Sequence, residues 1–483
     1  MADIVNHSLA SHSETTGRRR SEASADASAR LSPIVYLFLF ALIVPVVFML
    51  GPVKLNPYRL VLVLAFIPLV FAWLSGKAGR IIAADLFIAL YCAWAALALT
   101  VNHGVAESVE PAGILTIEAF GSYLLARVFI RNQQQFRVMV STIVAATAIL
   151  LPFAILEAFT SKNYIVVLFD IPFETINDIL SEPRFGLQRA QGPFEHPILL
   201  GVFAASVFML ALLVGGNGAG LFRRQVSAGI AGLVTFFSLS VGAYIVIAFQ
   251  IGLLAWERLT KGIPSRWKLL VGGVTAVYVT LDIIANRSPV QIFIGYLTFN
   301  SHNAWTRLHI WTYGTAEVER HPVFGIGRND WVRPEWLLSS VDNFWLVTAM
   351  RYGLPALIAL VVAMALIAWG VAKSKSDEPG FVNCQRALLF TLAGISLAIC
   401  TVHLWKASFV VLLFLIGSGA WMIGRDDAAA AARPSQRSNQ PRRTIPTRHG
   451  ATRPLEPASP PKTAADDTQR KTKRKKGIRH KLR

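Results

Sequence analysis

The residues of this chain best suited to chemistry are basic, and they are clustered. Residues 302–355 carry SHNAWTRLHIW, then ERHPVFGIGRNDW, then VDNFWLVTAMRYGLP, a polar interlude in an otherwise oily protein. Thr306-Arg307 precedes an amphipathic stretch in which Trp311 follows Arg307 by four residues, on the same helical face. A guanidinium held by aromatic packing can present a fork of donors to a phosphate, which makes Arg307 a candidate anion ligand. The plainer alternative is that Trp305 and Trp311 anchor the chain at a membrane interface. Asp342 stands where the N-cap of the next helix is expected, with Asn343 beside it. Capping alone would account for an aspartate there, and a carboxylate among arginines could equally act as a general base toward a hydroxyl nucleophile. Arg351 falls about two turns into that helix. A charge within an apolar span costs at least ~2.5 kcal/mol, so Arg351 should face a polar cavity or an acid.

A second cluster lies upstream in PRFGLQRAQGPFEHPILLG, where Arg184, Arg189, Glu195 and His196 come just before an apolar run. Gly192-Pro193 makes a tight entry, and Pro197 suits a first helical turn. Free backbone N–H groups at a helix amino terminus favour an anion, and Arg189 would add its own donors. Pairing of Arg189 with Glu195 or with lipid phosphate is the structural alternative. His321-Pro322 opens HPVFGIG, in which Gly325 and Gly327 permit a close backbone approach or simply form a turn. His321, Arg328 and Asn343 join Arg184, His196 and Arg351 as candidate ligands for substrate, with Asp342, Arg307 and Arg189 as the candidate catalytic set.

The elements that must position these residues are membrane helices. Hydrophobic residues make up 54% of the chain and charged residues 16%, with a mean hydropathy of +0.48; a soluble domain carries roughly 25% charged residues. Apolar runs fall near 34–50, 58–75, 82–100, 112–130, 137–159, 196–215, 226–240, 242–256, 267–285, 342–371, 385–402 and 406–423. A span takes about 20 residues, so these predict an all-α polytopic membrane protein of about twelve helices. The stretch around Ser240-Val241-Gly242 must be split, because unsplit it would span twice.

Lys and Arg accumulate at the cytoplasmic ends of spans. With the amino terminus inside, Lys77 and Arg80, Arg131 and Arg137, Arg223 and Arg224, Arg258 to Lys268, and Lys373 to Arg386 all fall inside. The short loop from Asn102 to Pro111 carries Glu107 and Glu110 and no Lys or Arg, as an outside loop should. Two long outside loops, 160–195 and 286–341, break the rule with Arg184, Arg189, Arg287, Arg307, Arg320, Arg328 and Arg333. Arginines on the translocated side imply an anionic ligand there.

The net charge of +19 does not imply nucleic acid, because residues 425–483 hold seventeen Lys/Arg against five Asp/Glu, +12 in that tail alone. The tail is too polar to fold by itself and is attracted to anionic membrane lipids at about 1 kcal/mol per basic residue near the surface. The organisation read from sequence is a disordered cytoplasmic amino terminus at 1–32, a membrane domain at 33–424 and a disordered polybasic cytoplasmic tail at 425–483. Cys92, Cys384 and Cys400 form no CxxC pair. The sequence contains no Walker motif, and neither a metal-ligand spacing nor a cofactor signature is evident.

In QRAQGPFEHPILLG, TRLHIWTYGTAEVERHPVFGIG and DNFWLVTAMRYGLPALI, in this order among many helices, the chain resembles the O-antigen ligase and O-antigen polymerase superfamily of bacterial envelope enzymes. The resemblance covers most of residues 34–423 in layout and is motif-specific only at those stretches. It implies a GT-C type glycosyltransferase of the bacterial inner membrane, with both termini cytoplasmic. Such an enzyme takes a glycan from undecaprenyl pyrophosphate and passes it, without metal, to a glycan or lipid-linked acceptor, and a chain-length regulator is an expected partner. By position, Arg189 and Arg307 match the arginines that attend the pyrophosphate. Asp342-Asn343 stands where ligases carry His-Asn, and Arg351 where many relatives carry Glu; exopolysaccharide or O-antigen polymerisation therefore ranks above ligation to a lipid A core. A flippase for lipid-linked glycans and a non-catalytic assembly protein are the competing readings.

Overall fold

The computed structural model describes residues 30–424 apart from 52, 172, 178, 180, 216–219, 286–287 and 297–300. Residues 1–29, Arg287 and the tail 425–483 lie outside the described residues. The described chain is mostly helical, and seven of its helices are long and apolar enough to cross a membrane, which points to a membrane protein.

The apolar run 34–50 does not form one span. Helix α1 (Pro33–Ala41) stops after nine residues, and the chain continues as strand β1 (Val46–Leu50), paired antiparallel with β2 (Val53–Leu55) and β3 (Glu174–Thr175). Pro45 supplies no N–H and disfavours helical geometry at Val44, and the β-branched Val46-Val47 pair favours extension. Helix α2 (Pro57–Leu74) follows. The runs 82–100 and 112–130 join in one helical element, α3 (Ala83–Thr116), which passes through a π turn at Ile117–Gly121 into α4 (Ser122–Phe129). The expected outside loop is reduced to a break at Gly104, with φ 76° and ψ 169°.

Helices α5 (Gln133–Thr160), α6 (Tyr164–Asp170), α7 (Pro197–Leu213), α8 (Leu221–Phe237), α9 (Val241–Leu259) and α10 (Arg266–Ile284) come next. The split expected near Ser240 is present: Leu239 takes a left-handed φ of 46°, and Arg184 Nη1 donates to its carbonyl at 2.7 Å. The second long loop is itself largely helical, with α11 (Pro289–Tyr296) and α12 (Ser301–Arg320). The described chain closes with α13 (Phe344–Lys373), α14 (Pro379–Ala398) and α15 (Lys406–Ser418).

One large apolar cluster draws on α1 to α9 and α13 to α15. Two charged networks are buried inside it. Asp85 accepts from Trp73 Nε1 at 3.1 Å, from Arg127 Nε at 3.2 Å and from the Tyr123 hydroxyl. Glu118 Oε1 accepts from Arg59 Nη2 at 2.7 Å, Arg59 Nε at 3.0 Å and Tyr58 at 3.1 Å. A buried charge is tolerable only when it is paired and hydrogen-bonded, and both networks meet that condition.

Candidate functional site

The HPVFGIG segment owes its shape to a break in α13. Pro355 has no N–H, so the Arg351 carbonyl loses its helical partner, and Gly353 leaves helical geometry at φ 81°, ψ 170°. Residues 321–327 replace the missing bonds. Leu354 N donates to Pro322 O at 2.8 Å, Ile326 N to Met350 O at 2.7 Å and Gly327 N to Arg351 O at 2.9 Å. A Cβ on Gly353 would collide with the Val323 carbonyl, and one on Gly325 with the Met350 carbonyl. The glycines are therefore there for close backbone approach, not for a plain turn. The other side of the segment rests on α3 near its own break: Trp94 Nε1 donates to Val323 O at 3.1 Å, Asn102 Nδ2 to Phe324 O at 3.2 Å, and His103 Nε2 accepts from Arg328 N at 2.7 Å. Two interrupted helices and one loop thus fix the start of Arg328 and the end of the half-helix that bears Arg351.

These residues open onto a cavity of about 590 Å³ whose lining includes Arg328, Asp342, Arg351, His403 and Trp405. Asp342 is not the N-cap of α13. Asn343 is: its side chain accepts from Leu346 N at 3.0 Å. The capping explanation for Asp342 is thereby removed, and its carboxylate lines both the cavity and a narrow slot that it shares with Arg307 and Trp311. Burial raises the Asp342 carboxyl above the ordinary aspartate range, with the Arg307 charge pulling the other way. Burial also lowers the Arg307 guanidinium, against the Asp342 charge.

Arg189 is 7% exposed, and its Nε has no hydrogen-bond partner among the described residues. The acids that could have neutralised it are committed elsewhere. Glu195 pairs with Lys406 at 2.5 Å, and Glu157 accepts from the backbone N–H of Gln191 at 2.8 Å and of Gly192 at 3.0 Å. Burial and the nearby Arg184 bring the Arg189 guanidinium down to about 10. His196 caps α7, its Nδ1 accepting from Ile198 N at 3.1 Å, and burial with Arg189 and Arg184 holds it down to about 4. Arg184 also repels Arg307, so the two basic clusters recognised in sequence share one electrostatic neighbourhood.

Other candidates go elsewhere. His321 and Arg320 both contact Glu317, at 3.5 and 2.9 Å, and His321 lines neither the cavity nor the slot. Arg333 pairs with Asp330. The anion-binding argument therefore narrows to Arg184, Arg189, Arg307, Arg328 and Arg351. Sequence reasoning missed His403 and Trp405 in the short turn before α15 and Lys406 at the start of that helix, together with Glu110 and Glu118 on α3 and the π turn. A signal for the first three was available in TVHLWK, a polar cluster between two apolar runs. Glu118 could have been found by the rule that singled out Arg351, since it too is an ionisable residue inside an apolar run.

No protein-family model matches the chain, and no curated protein matches it.

Proposed function

We propose that the chain is a metal-independent membrane glycosyltransferase of the GT-C type with about twelve membrane crossings. It would transfer or polymerise glycan units from undecaprenyl pyrophosphate donors at the periplasmic face of a bacterial inner membrane. The observation that carries this reading is the buried, acid-free Arg189 beside Arg184 and His196, in the same field as Arg307. A dry site that keeps cations without counter-ions is preorganised for an anion that brings its own charge, and a departing diphosphate is such a group. Asp342, freed from capping, is placed to take the proton of an acceptor hydroxyl, and Arg307 favours its ionised form.

The test is release of polyprenyl diphosphate by the purified protein in nanodiscs, supplied with polyprenyl-diphosphate-linked glycan. Turnover should be lost in Arg307→Ala and Asp342→Asn, and a wild-type protein that releases nothing would overturn the reading. A second reading, a flippase for the same lipid, draws on the interrupted helices α3 and α13, since transporters use discontinuous helices at their binding sites. Here the freed α13 groups are taken up by residues 322–327, which leaves them no ion to coordinate. Glycan transfer in detergent, where no second compartment exists, separates the two.

A further inference from the structure

Beside this cavity lies a second chamber of about 260 Å³. The two share Arg328, Val347, Arg351, His403 and Trp405. What belongs to the second chamber alone includes Tyr91, Glu110, Glu118 and Thr348.

We propose that this chamber is the acceptor site and takes a single polyhydroxylated sugar ring whose free hydroxyl points through the shared wall toward the larger cavity that Asp342 lines. The inference rests on the glycan-transfer reading above and adds to it a place, a chemical class and a set of residues for the second substrate.

Three features carry it. Glu118 is 6% exposed and lines the chamber; its Oε1 takes all three donors from Tyr58 and Arg59, so Oε2 has no hydrogen bond among the described residues and is left for a ligand. Arg59 already balances the charge of Glu118, so the wall offers a strong acceptor without attracting a cation. Lys406, on the same lining, is likewise balanced by Glu195. A neutral ligand rich in O–H donors matches such a wall. Second, the chamber is edged by aromatic rings. Tyr91 and Tyr352 meet edge to face at 6.5 Å, and Trp405 stacks on His403 at 5.5 Å. Aromatic rims with a few convergent polar groups are the usual lining of a small-molecule site, and the volume lies just under the ~300–1,000 Å³ typical of them. Third, His403 lines both chambers, and its buried Nδ1 has no hydrogen-bond partner among the described residues, the ring being bracketed by Phe344 at 6.1 Å and Trp405. Burial and the Arg351 charge hold this imidazole down to about 3. It is therefore neutral and can hydrogen-bond a sugar hydroxyl without adding to the cationic field. Group transfer requires two reactants held next to each other, and two adjoining chambers with one common wall provide that.

The experiment compares two probes on the full-length protein in nanodiscs: inorganic pyrophosphate, and repeat-unit oligosaccharides freed of diphosphate by mild acid hydrolysis of the host's own surface polysaccharide. Binding is followed by calorimetry and saturation-transfer NMR. The double variant Glu110→Gln with Tyr91→Phe should weaken oligosaccharide binding at least about tenfold and leave pyrophosphate affinity within about twofold. Arg189→Ala should do the reverse. Glu118→Gln gives the same direction of loss, and the double variant keeps the test valid where Arg59 loses its partner. Oligosaccharide binding that survives the double variant, or that pyrophosphate displaces competitively, overturns the assignment. Oligosaccharide binding lost in the double variant, in a protein that takes up no pyrophosphate, supports the chamber and sinks the donor reading instead.

Discussion

Arg59 and Arg189 are both buried guanidiniums, 6% and 7% exposed, and the chain treats them in opposite ways. Arg59 donates twice to Glu118 Oε1 and also to the Lys54 carbonyl at 2.5 Å. Arg189 has a second arginine nearby and, among the described residues, an unpartnered Nε and no acid paired with it. The cost of removing a guanidinium from water is comparable in the two places. In one it is offset within the fold, in the other it is left for a ligand to offset. Scaffold and site can thus be told apart by whether a buried charge has been answered.

The largest expected effect tests the scaffold side. Arg59→Met leaves Glu118 buried and unanswered and should destabilise the protein by about 3–5 kcal/mol, read as a lowered midpoint of thermal inactivation in nanodiscs. Stability within the range of a surface mutation would erase the contrast. Arg189→Met should do the opposite: glycan transfer falls by about 10²–10³, and the inactivation midpoint holds or rises because an unpartnered charge has been removed. A parallel fall in stability would show Arg189 to be scaffold too.

Gly353→Ala forces a side chain into the left-handed region and against the Val323 carbonyl. It should cost about 1–3 kcal/mol and, by displacing Arg328 and Arg351, reduce transfer as well. The last effect vanishes at neutral pH and emerges only in acid. His196 and His403 are held down to about 4 and about 3 in the folded chain, against about 6.5 when unfolded. The unfolded state therefore binds more protons over that interval, and stability is lost as pH falls from about 6.5 toward the folded values. Replacing both with Gln should flatten the acid limb of inactivation midpoints measured between about pH 4.5 and 7.5.

The basic residues could be picked out from the chain because they sit where membrane physics penalises them. Arg189, Arg307 and Arg351 stand out by topology or by cost; Arg184 acts on both Arg189 and Arg307, and Arg351 lines the same cavity as Asp342. The split before Val241 followed from length alone. The failures have identifiable causes. Apolarity does not distinguish helix from strand, so residues 46–50 read as part of a span, whereas Pro45 and the valine pair turn them into a strand. An N-cap and the residue before it look alike in sequence, so Asp342 and Asn343 exchanged roles. The acceptor-side residues Tyr91, Glu110 and Glu118 come from helix faces that only tertiary packing brings to the turn at His403.

The exchange of hydrogen bonds between residues 322–327 and the broken α13 also bears on how the protein is made. Until that loop arrives, the carbonyls of Met350 and Arg351 and the N–H of Leu354 have no partner, and in an apolar phase each such group costs several kcal/mol. The loop precedes α13 along the chain and the α3 face it also needs is earlier still, so both docking surfaces exist before the break is synthesised. The interruption therefore makes the stability of this half of α13 conditional on tertiary docking, where an unbroken helix would satisfy the same groups by itself.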